Sequence, residues 1–255
     1  MSTALPAVPA GNGEHPMPLI VITANDLPGS TAFYSTVFRW AAFPMSAQLT
    51  SMVAPSGPGI ALRSNAPAGF PGVVPFIGVP DVKGSLASVV AAGASVERQP
   101  WVIPMVGTMA RFTDASGTIY GLTTGLPPGA TPRVPMPFGD NPKPPANTIC
   151  SLEMYAADGA TAAKFFGDLF GWGAMATMPH YMAFDPGAGI GGVFQSHTPA
   201  TPAVAYIYVT DVSSTLTAID AAGGKRMGDA MPMPGMGCFG YFTDPSGTAM
   251  GLIGP

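Results

Sequence analysis

Charged residues and cysteines are both scarce in this chain. Only 9% of the 255 residues are charged, and the net charge is −4. A protein with so few basic groups has no surface that attracts phosphates, so we expect no nucleic-acid partner. Cys150 and Cys238 are the only cysteines. They exclude a disulfide framework, and two reduced thiols in a cytoplasmic protein are the simplest interpretation.

Long apolar runs are also lacking. No run reaches the roughly 20 residues that a membrane-spanning helix needs. The first residues do not combine a basic stretch with an apolar one, as a secretory signal does. We therefore expect no membrane partner and a cytoplasmic location. What is abundant is apolar residues, at 47%, together with 33 Gly and 30 Pro. This composition is sufficient for a core and favours many turns and much β structure.

The chain contains an internal repeat. Residues 112–122 (FTDASGTIYGL) return as residues 242–252 (FTDPSGTAMGL), with eight of eleven positions identical at an offset of 130. Residues 33–40 match residues 165–172 at an offset of 132. A repeat of this length indicates a duplicated structural unit, with two residues deleted between the first helix and the middle of the second copy, or inserted there in the first.

The repeat divides the chain into modules. We expect a first module at residues 17–125 and a second at residues 147–254. The region between them, 126–146, carries eight prolines, a composition typical of an extended, semi-rigid linker. Residues 1–16 show no hydrophobic period, which predicts a flexible tail.

Each module shows the same order of elements. The pattern predicts a strand, a helix, two strands, a second helix and two final strands, hence an α+β fold. Four aspartates precede the predicted helices, where a carboxylate can accept hydrogen bonds from the free amides of the first turn. They are Asp26, Asp81, Asp158 and Asp211.

Several segments of the second module resemble one known superfamily. In order and spacing, residues 158–172, 208–212, 222–224 and 244–247 are similar to the vicinal-oxygen-chelate proteins, which include glyoxalase I, bleomycin-resistance proteins and extradiol dioxygenases. The resemblance covers both modules. It implies the glyoxalase/bleomycin-resistance fold, an α+β fold of tandem βαβββ modules whose paired, curved mixed sheets form a ligand-binding cleft.

The same resemblance implies where a catalytic metal would bind. Metal-dependent members carry a His on the first strand, a His or Glu on a middle strand and a Glu on the last strand. The corresponding positions are Leu19 and Ser151, positions near Pro75 and Ala205, and Gly121 and Gly251. None of these is a normal ligand for a divalent transition metal. We therefore expect no cofactor, and a divalent metal only if its ligand set is displaced.

Glu153 is the candidate catalytic residue. Alternation along the first strand of the second module places Ser151, Glu153 and Tyr155 on one face. In an apolar cleft, desolvation would raise the pKa of this carboxyl group and favour a role as a general base or hydrogen-bond acceptor. A structural acid that bonds to backbone or solvent is the alternative. The first module has Val21 at the equivalent position, so such a site is one-sided.

Aromatic and basic side chains are candidates for ligand contacts. Arg111 and Tyr241 hold equivalent repeat positions, and an arginine there suits an anion or a carbonyl group. Aromatic groups suit a flat organic ligand, although each could equally fill the core. The candidate ligand-binding residues are Arg111, Trp101, Tyr206, Tyr208, Tyr241 and His180.

Three functions remain open at this point. The first is binding of a small organic molecule without the usual metal, either for sequestration or for a glyoxalase-like reaction through Glu153. The second is a metal-dependent lyase, isomerase or dioxygenase with a displaced ligand set, such as His180, His197 and Glu153. The third is a non-catalytic interaction protein. A monomer and a homodimer are both compatible with the sequence.

Overall fold

The structure is a computed structural model that describes residues 7–104, 106–125, 131–138 and 141–255. These residues form two mixed β-sheets and four α-helices. None of the described helices has the length and apolar character needed to cross a membrane. The α+β class with two mixed sheets, expected from the sequence, is confirmed.

The first sheet is built from residues 19–123. Its elements are β1 (Leu19–Thr23), α1 (Leu27–Phe38), β2 (Ala41–Ser46), β3 (Leu49–Val53), β4 (Gly59–Arg63), β5 (Val73–Gly78), α2 (Val82–Ala91), β6 (Ser95–Ile103), β7 (Gly107–Thr113) and β8 (Ile119–Thr123). The strand order is β2-β3-β4-β1-β5-β8-β7-β6. At its centre, β1 pairs in parallel with β4 and antiparallel with β5.

The second sheet, from residues 148–254, repeats this plan. Its elements are β9 (Thr148–Tyr155), α3 (Gly159–Phe170), β10 (Gly173–Met178), β11 (Tyr181–Asp185), β12 (Gly191–Gln195), β13 (Ala203–Tyr208), α4 (Val212–Ala221), β14 (Lys225–Arg226), β15 (Met231–Met233), β16 (Gly237–Thr243) and β17 (Ala249–Gly254). The order is β10-β11-β12-β9-β13-β17-β16-β14, and β15 pairs with β16.

Each half therefore runs through the βαβββ order twice, with β15 as an additional short strand in the second half. In the first half, β1-α1-β2-β3-β4 is followed by β5-α2-β6-β7-β8. The sequence pattern predicted five strands per half and missed the β2–β3 pair and β6. Strand β2 is largely exposed and contains Pro44, so it lacks the apolar alternation that identifies a strand.

The four predicted helix caps are confirmed. In each case the aspartate side chain accepts a hydrogen bond from a backbone amide in the first turn. The donors are Gly29 for Asp26, Lys83 for Asp81, Ala160 for Asp158 and Ser214 for Asp211. Because capping fixes where each helix begins, these carboxylates also fix how each helix leaves its preceding strand.

One continuous hydrophobic core joins the two halves. Tyr34 of α1 stacks on Trp40 at a centroid distance of 5.1 Å, and Phe38 lies 5.9 Å from Phe242 of the second sheet. In return, Phe166 of α3 lies 4.9 Å from Tyr120 of the first sheet. The helices and this shared core cover one face of the first sheet, whereas in the second sheet the core also includes residues of the other face, such as Tyr206 and Phe239.

Part of the N-terminal segment contacts both halves. The Nδ1 atom of His15 lies 2.9 Å from the carbonyl oxygen of Gly78 at the end of β5. The indole N–H of Trp172 donates to the carbonyl oxygen of His15 over 2.8 Å. Residues 1–6 of the expected tail lie outside the described residues.

The Pro-rich segment 126–146 is described in part, since residues 126–130 and 139–140 lie outside the described residues. The ring of Phe138 lies 6.1 Å from that of Phe239 on β16. This contact seats the described part of the segment against the second sheet. The module boundaries themselves stay a prediction.

Two buried tyrosines in the core between the halves differ in their hydrogen bonding. The hydroxyl of Tyr34 donates to Asp244 Oδ2 over 3.1 Å, whereas the buried hydroxyl of Tyr120 has no partner among the described residues. We expect Tyr34→Phe to lower the free energy of unfolding by about 1–2 kcal/mol, because a buried carboxylate loses a donor. Tyr120→Phe should be neutral or stabilising. Chemical denaturation measures both, and equal destabilisation would contradict this assignment.

Candidate functional site

Each sheet has a core face and an opposite face, which we call the distal face. Alternation along β1 sends Ile20 and Ile22 into the shared core, and Leu19 and Val21 to the distal face. On the distal face of the first sheet, Leu19 and Val21 pack on a separate small cluster. Its buried members are Val74, Phe76 and Met109.

A row of paired residues crosses the centre of each distal face. Strand register places Leu19, Phe76, Gly121 and Arg111 in line on β1, β5, β8 and β7. The second sheet aligns Ser151, Tyr206, Gly251 and Tyr241 on β9, β13, β17 and β16. Residues paired in register point to the same face of a sheet, so each row presents four adjacent positions to a ligand. The predicted equivalence of Arg111 and Tyr241 is confirmed.

The register corrects one predicted position. The middle-strand position in line with Leu19 and Gly121 is Phe76, not Pro75, and its counterpart in the second sheet is Tyr206, not Ala205. The sequence estimate was one residue off. In a strand, an error of one residue exchanges the two faces.

The residues of the first row do not fit a divalent metal. A Cβ atom on Gly121 would lie 2.1 Å from the Cδ1 atom of Phe76, so the phenyl ring occupies the space of a last-strand side chain. Leu19 and Phe76 have no donor atoms, and a metal site needs about three. The first row therefore cannot form the metal site that the resemblance implies.

The second row fits a metal no better. A Cβ atom on Gly251 would lie 2.4 Å from Cδ1 of Tyr206. The Tyr206 hydroxyl is already engaged by other protein groups, which leaves only the hydroxyl of Ser151 in this row. Among the residues that the structure describes, no three His, Cys, Asp or Glu side chains group in a way that could hold a metal ion.

Three side chains form a hydrogen-bonded chain on the distal face of the second sheet. The hydroxyl of Tyr206 donates to Glu153 Oε2 over 2.8 Å and lies 2.6 Å from the hydroxyl of Tyr241. Glu153 lies on β9, two residues after Ser151, which is the cross-strand partner of Tyr206. A long side chain can span this diagonal distance. We call Glu153, Tyr206 and Tyr241 the acid–tyrosine group.

Burial controls the protonation of this group. Desolvation raises the pKa of Glu153, while the hydrogen bond from Tyr206 and the nearby His197 oppose that rise. Burial also raises the pKa of Tyr206 well above 10 and that of Tyr241 to about 12. Both phenols are therefore protonated at neutral pH, and in this group only Glu153 can take up a proton.

Two side chains that the sequence did not select as ligand contacts stand beside the acid–tyrosine group. Tyr181 on β11 faces Gln195, and its hydroxyl lies 3.3 Å from Nε2 of His197. Burial and the charge of Glu153 raise the pKa of Tyr181. The sequence suggested His197 as a displaced metal ligand. The cross-strand pairing of β11 was the missing information, because β11 was not predicted as a separate strand.

The other two predicted ligand contacts of the second half, His180 and Tyr208, are not part of the acid–tyrosine group. His180 is exposed in the turn between β10 and β11, with a left-handed φ of 69°, and its Nδ1 lies 3.3 Å from the hydroxyl of Ser196. Tyr208 is buried on β13 beyond a register shift after Tyr206. Neither side chain hydrogen-bonds to the acid–tyrosine group within the described part of the chain.

Arg111 and Trp101 belong to a different face. Both lie on the first sheet, where Arg111 forms a two-point ion pair with Glu97 at 2.5 and 3.2 Å. The guanidinium of Arg111 lies 5.5 Å from the centre of the Trp101 ring. The structure thus separates the predicted ligand residues into two groups, one on each sheet.

Known structures share this architecture. The Mn(II)-bound glyoxalase from Novosphingobium aromaticivorans superposes with a TM-score of 0.64 at 16% identity, covering 96% of this chain and 83% of that one. The 2,3-dioxygenase LapB from Pseudomonas sp. KL28 gives 0.64 at 14% identity, covering 96% and 93%. The chain has the vicinal-oxygen-chelate fold. The fold expected from the sequence resemblance is confirmed.

Sequence comparison points the same way. A candidate glyoxylase named CFP32 is 24% identical over 250 residues in Mycobacterium bovis and in Mycobacterium tuberculosis, covering 92% of this chain and 92% of each relative. No family model matches the chain. At this level of identity the relatives are consistent with the shared fold, and the chemistry has to be argued from the chain's own residues.

The close contact between the Phe76 ring and Gly121 predicts that adding one methyl group at Gly121 lowers stability. Gly121→Ala should lower the free energy of unfolding by about 1–3 kcal/mol, because the new Cβ overlaps the Phe76 ring. The matched control is Gly59→Ala, whose nearest neighbour would be 3.4 Å away. Thermal unfolding compares the two variants, and an equal melting temperature would show that the ring does not fill this space.

Proposed function

We propose that the protein binds a small carbonyl compound on the distal face of the second sheet and that Glu153 acts there as a general base. The observation that carries this proposal is the hydrogen-bonded acid–tyrosine group. It combines a desolvated carboxylate with two phenols that stay protonated. Desolvation brings a carboxyl pKa closer to neutral pH, where a general base works best.

The direction of the hydrogen bonds follows from the number of protons. Each phenol has one hydrogen to donate. While Glu153 is ionised, Tyr206 donates to Glu153 Oε2, so Tyr241 has to donate to Tyr206. The second carboxylate oxygen, Oε1, makes no hydrogen bond within the described residues. It is the atom that we assign to proton abstraction.

Proton uptake by Glu153 allows the chain of hydrogen bonds to reverse. With the proton on Oε1, Glu153 is neutral and Oε2 is a weaker acceptor, so Tyr206 can donate to Tyr241 instead, and Tyr241 can donate to an oxygen of the ligand. Removal of a proton from a carbon beside a carbonyl group leaves negative charge on the carbonyl oxygen. A phenol donor at that oxygen stabilises the enolate, and returning the proton to the neighbouring carbon completes an isomerisation.

The comparisons support a glyoxalase-like reaction of this type, because the chain has the fold of a glyoxalase and is related in sequence to a candidate glyoxylase. A metal-dependent reaction with a displaced ligand set has no supporting group among the described residues. Sequestration without turnover would use the same site and differs only in the fate of the bound molecule.

The free energy of unfolding should depend on pH because the Glu153 carboxyl group is desolvated on folding. Because folding raises the pKa of Glu153, its contribution to stability is present at low pH and is lost as pH rises through the folded-state pKa. Glu153→Gln keeps an acceptor for Tyr206 and removes the charge. We expect no difference from wild type near pH 3.5 and a gain of about 1 kcal/mol at pH 8.

Denaturant unfolding at several pH values measures this difference. The control is Asp229→Asn, since the Asp229 side chain is 99% exposed and stays in solvent on folding. A Glu153→Gln variant that is equally less stable than wild type at every pH would contradict the predicted desolvation.

The reaction itself can be tested with hemithioacetals formed from 2-oxoaldehydes and a thiol, incubated in D₂O and followed by NMR. We expect isomerisation or deuterium incorporation at the carbon beside the carbonyl group. Glu153→Gln should abolish it, and Tyr241→Phe should slow it by about 10²-fold. A metal chelator should have no effect. Full activity in Glu153→Gln, or loss of activity on chelation, would overturn the proposal.

A further inference from the structure

Three arginines occupy the distal face of the first sheet, which the proposed function does not use. Arg63 ends β4, Arg98 lies on β6 and Arg111 on β7. We call these residues the arginine cluster. Their pairings, Arg63 with Thr23 and Arg98 with Arg111, place them on the same face as the first row.

Two aromatic rings hold the cluster together. The guanidinium of Arg111 lies 4.7 Å from the centre of the Phe70 ring, and that of Arg63 lies 5.5 Å from the same ring. The guanidinium of Arg98 lies 4.1 Å from the ring of Trp101, which Arg111 also approaches. Such contacts attract each cation to a ring face and keep the guanidinium groups close together despite their like charge.

The charges of the cluster are not balanced. Glu97 is the acid that interacts with it, and Arg111 already binds both Glu97 oxygens. The Nη1 atom of Arg63 is buried and has no hydrogen-bond partner among the described residues. Burial, followed by the charges of Arg111 and Arg98, lowers the pKa of Arg63. A buried donor without an acceptor is costly, and a bound anion removes that cost.

An apolar surface adjoins the cluster. Val74, Phe76 and Met109 are buried beneath it, and the partly buried Leu19 and Ile103 pack against them. An inorganic anion would use only the guanidinium groups. A ligand that uses the whole face has an anionic head and an apolar body.

We propose that the distal face of the first sheet is a second binding site, specific for an organic carboxylate with an apolar chain or ring. The carboxylate accepts hydrogen bonds from Arg63 Nη1 and from Arg98. Arg111, held by Glu97, keeps Phe70 in place. The apolar body of the ligand lies on the partly buried Leu19 and Ile103, which pack against the buried Phe76.

The two halves carry different residues at the positions that give each distal face its charge. The first sheet has Val21 and Arg111 where the second has Glu153 and Tyr241. One distal face is therefore cationic and the other carries an acid. Since a carboxylate would be repelled by Glu153, the inferred ligand distinguishes the two faces.

The test uses octanoate, its neutral analogue octanamide, and inorganic phosphate, with the full chain. Calorimetry should show saturable binding of octanoate, and the fluorescence of Trp101 should change on binding. Octanamide and phosphate should each bind at least about tenfold more weakly, because octanamide lacks the negative charge and phosphate lacks the apolar chain. Octanoate that does not saturate, or equally tight binding of octanamide or of phosphate, would overturn the proposal.

Substitutions in the arginine cluster test whether octanoate binds there. Arg63→Met and Arg98→Met should each weaken octanoate binding about tenfold or more, whereas Lys225→Met, which removes one exposed charge from the second half, should not. Arg98 is exposed, so its variant tests the site even if Arg63→Met fails to fold. Glu153→Gln should leave octanoate binding unchanged, which separates this site from the proposed isomerase site. Equal weakening by Lys225→Met and Arg98→Met would overturn the inference.

Discussion

In each sheet an aromatic ring on one strand lies against a glycine on the next, Phe76 on Gly121 and Tyr206 on Gly251. The two positions constrain each other, because a side chain at either glycine would overlap the ring. This contact occupies the position at which the resemblance implies an acidic metal ligand. It also holds Tyr206 where its hydroxyl reaches both Glu153 and Tyr241. The packing that excludes the usual chemistry thus organises the group that we propose as its replacement.

Duplication gave two copies of this arrangement, and the copies differ in their polar residues. The shared core on the opposite face restricts substitution there, since residues from both halves contribute to it. The distal faces are less constrained. The first sheet has Val21 and Arg111 where the second has Glu153 and Tyr241, so the two faces differ in charge although their strand registers are equivalent. A single scaffold can in this way offer two sites of different chemistry.

The sequence predicted the parts that depend on local chemistry or on the repeat. The four capping aspartates were found because capping needs only a carboxylate and the next few amides. Alternation placed Glu153 on the same face as Ser151, and the strand register agrees. The β2–β3 pair was missed because its pairing involves exposed residues, and Phe76 was missed by one position because register depends on the neighbouring strand.

By itself the sequence determined the duplicated α+β fold and the lack of metal ligands at the expected positions. These features depend on residue identities and on spacings along the chain. Only the tertiary structure decided that Arg111 and Trp101 lie on a different sheet from Glu153, and that Tyr206 joins Glu153 to Tyr241. Those relations are set by strand pairing between residues distant in sequence, which a local pattern does not record.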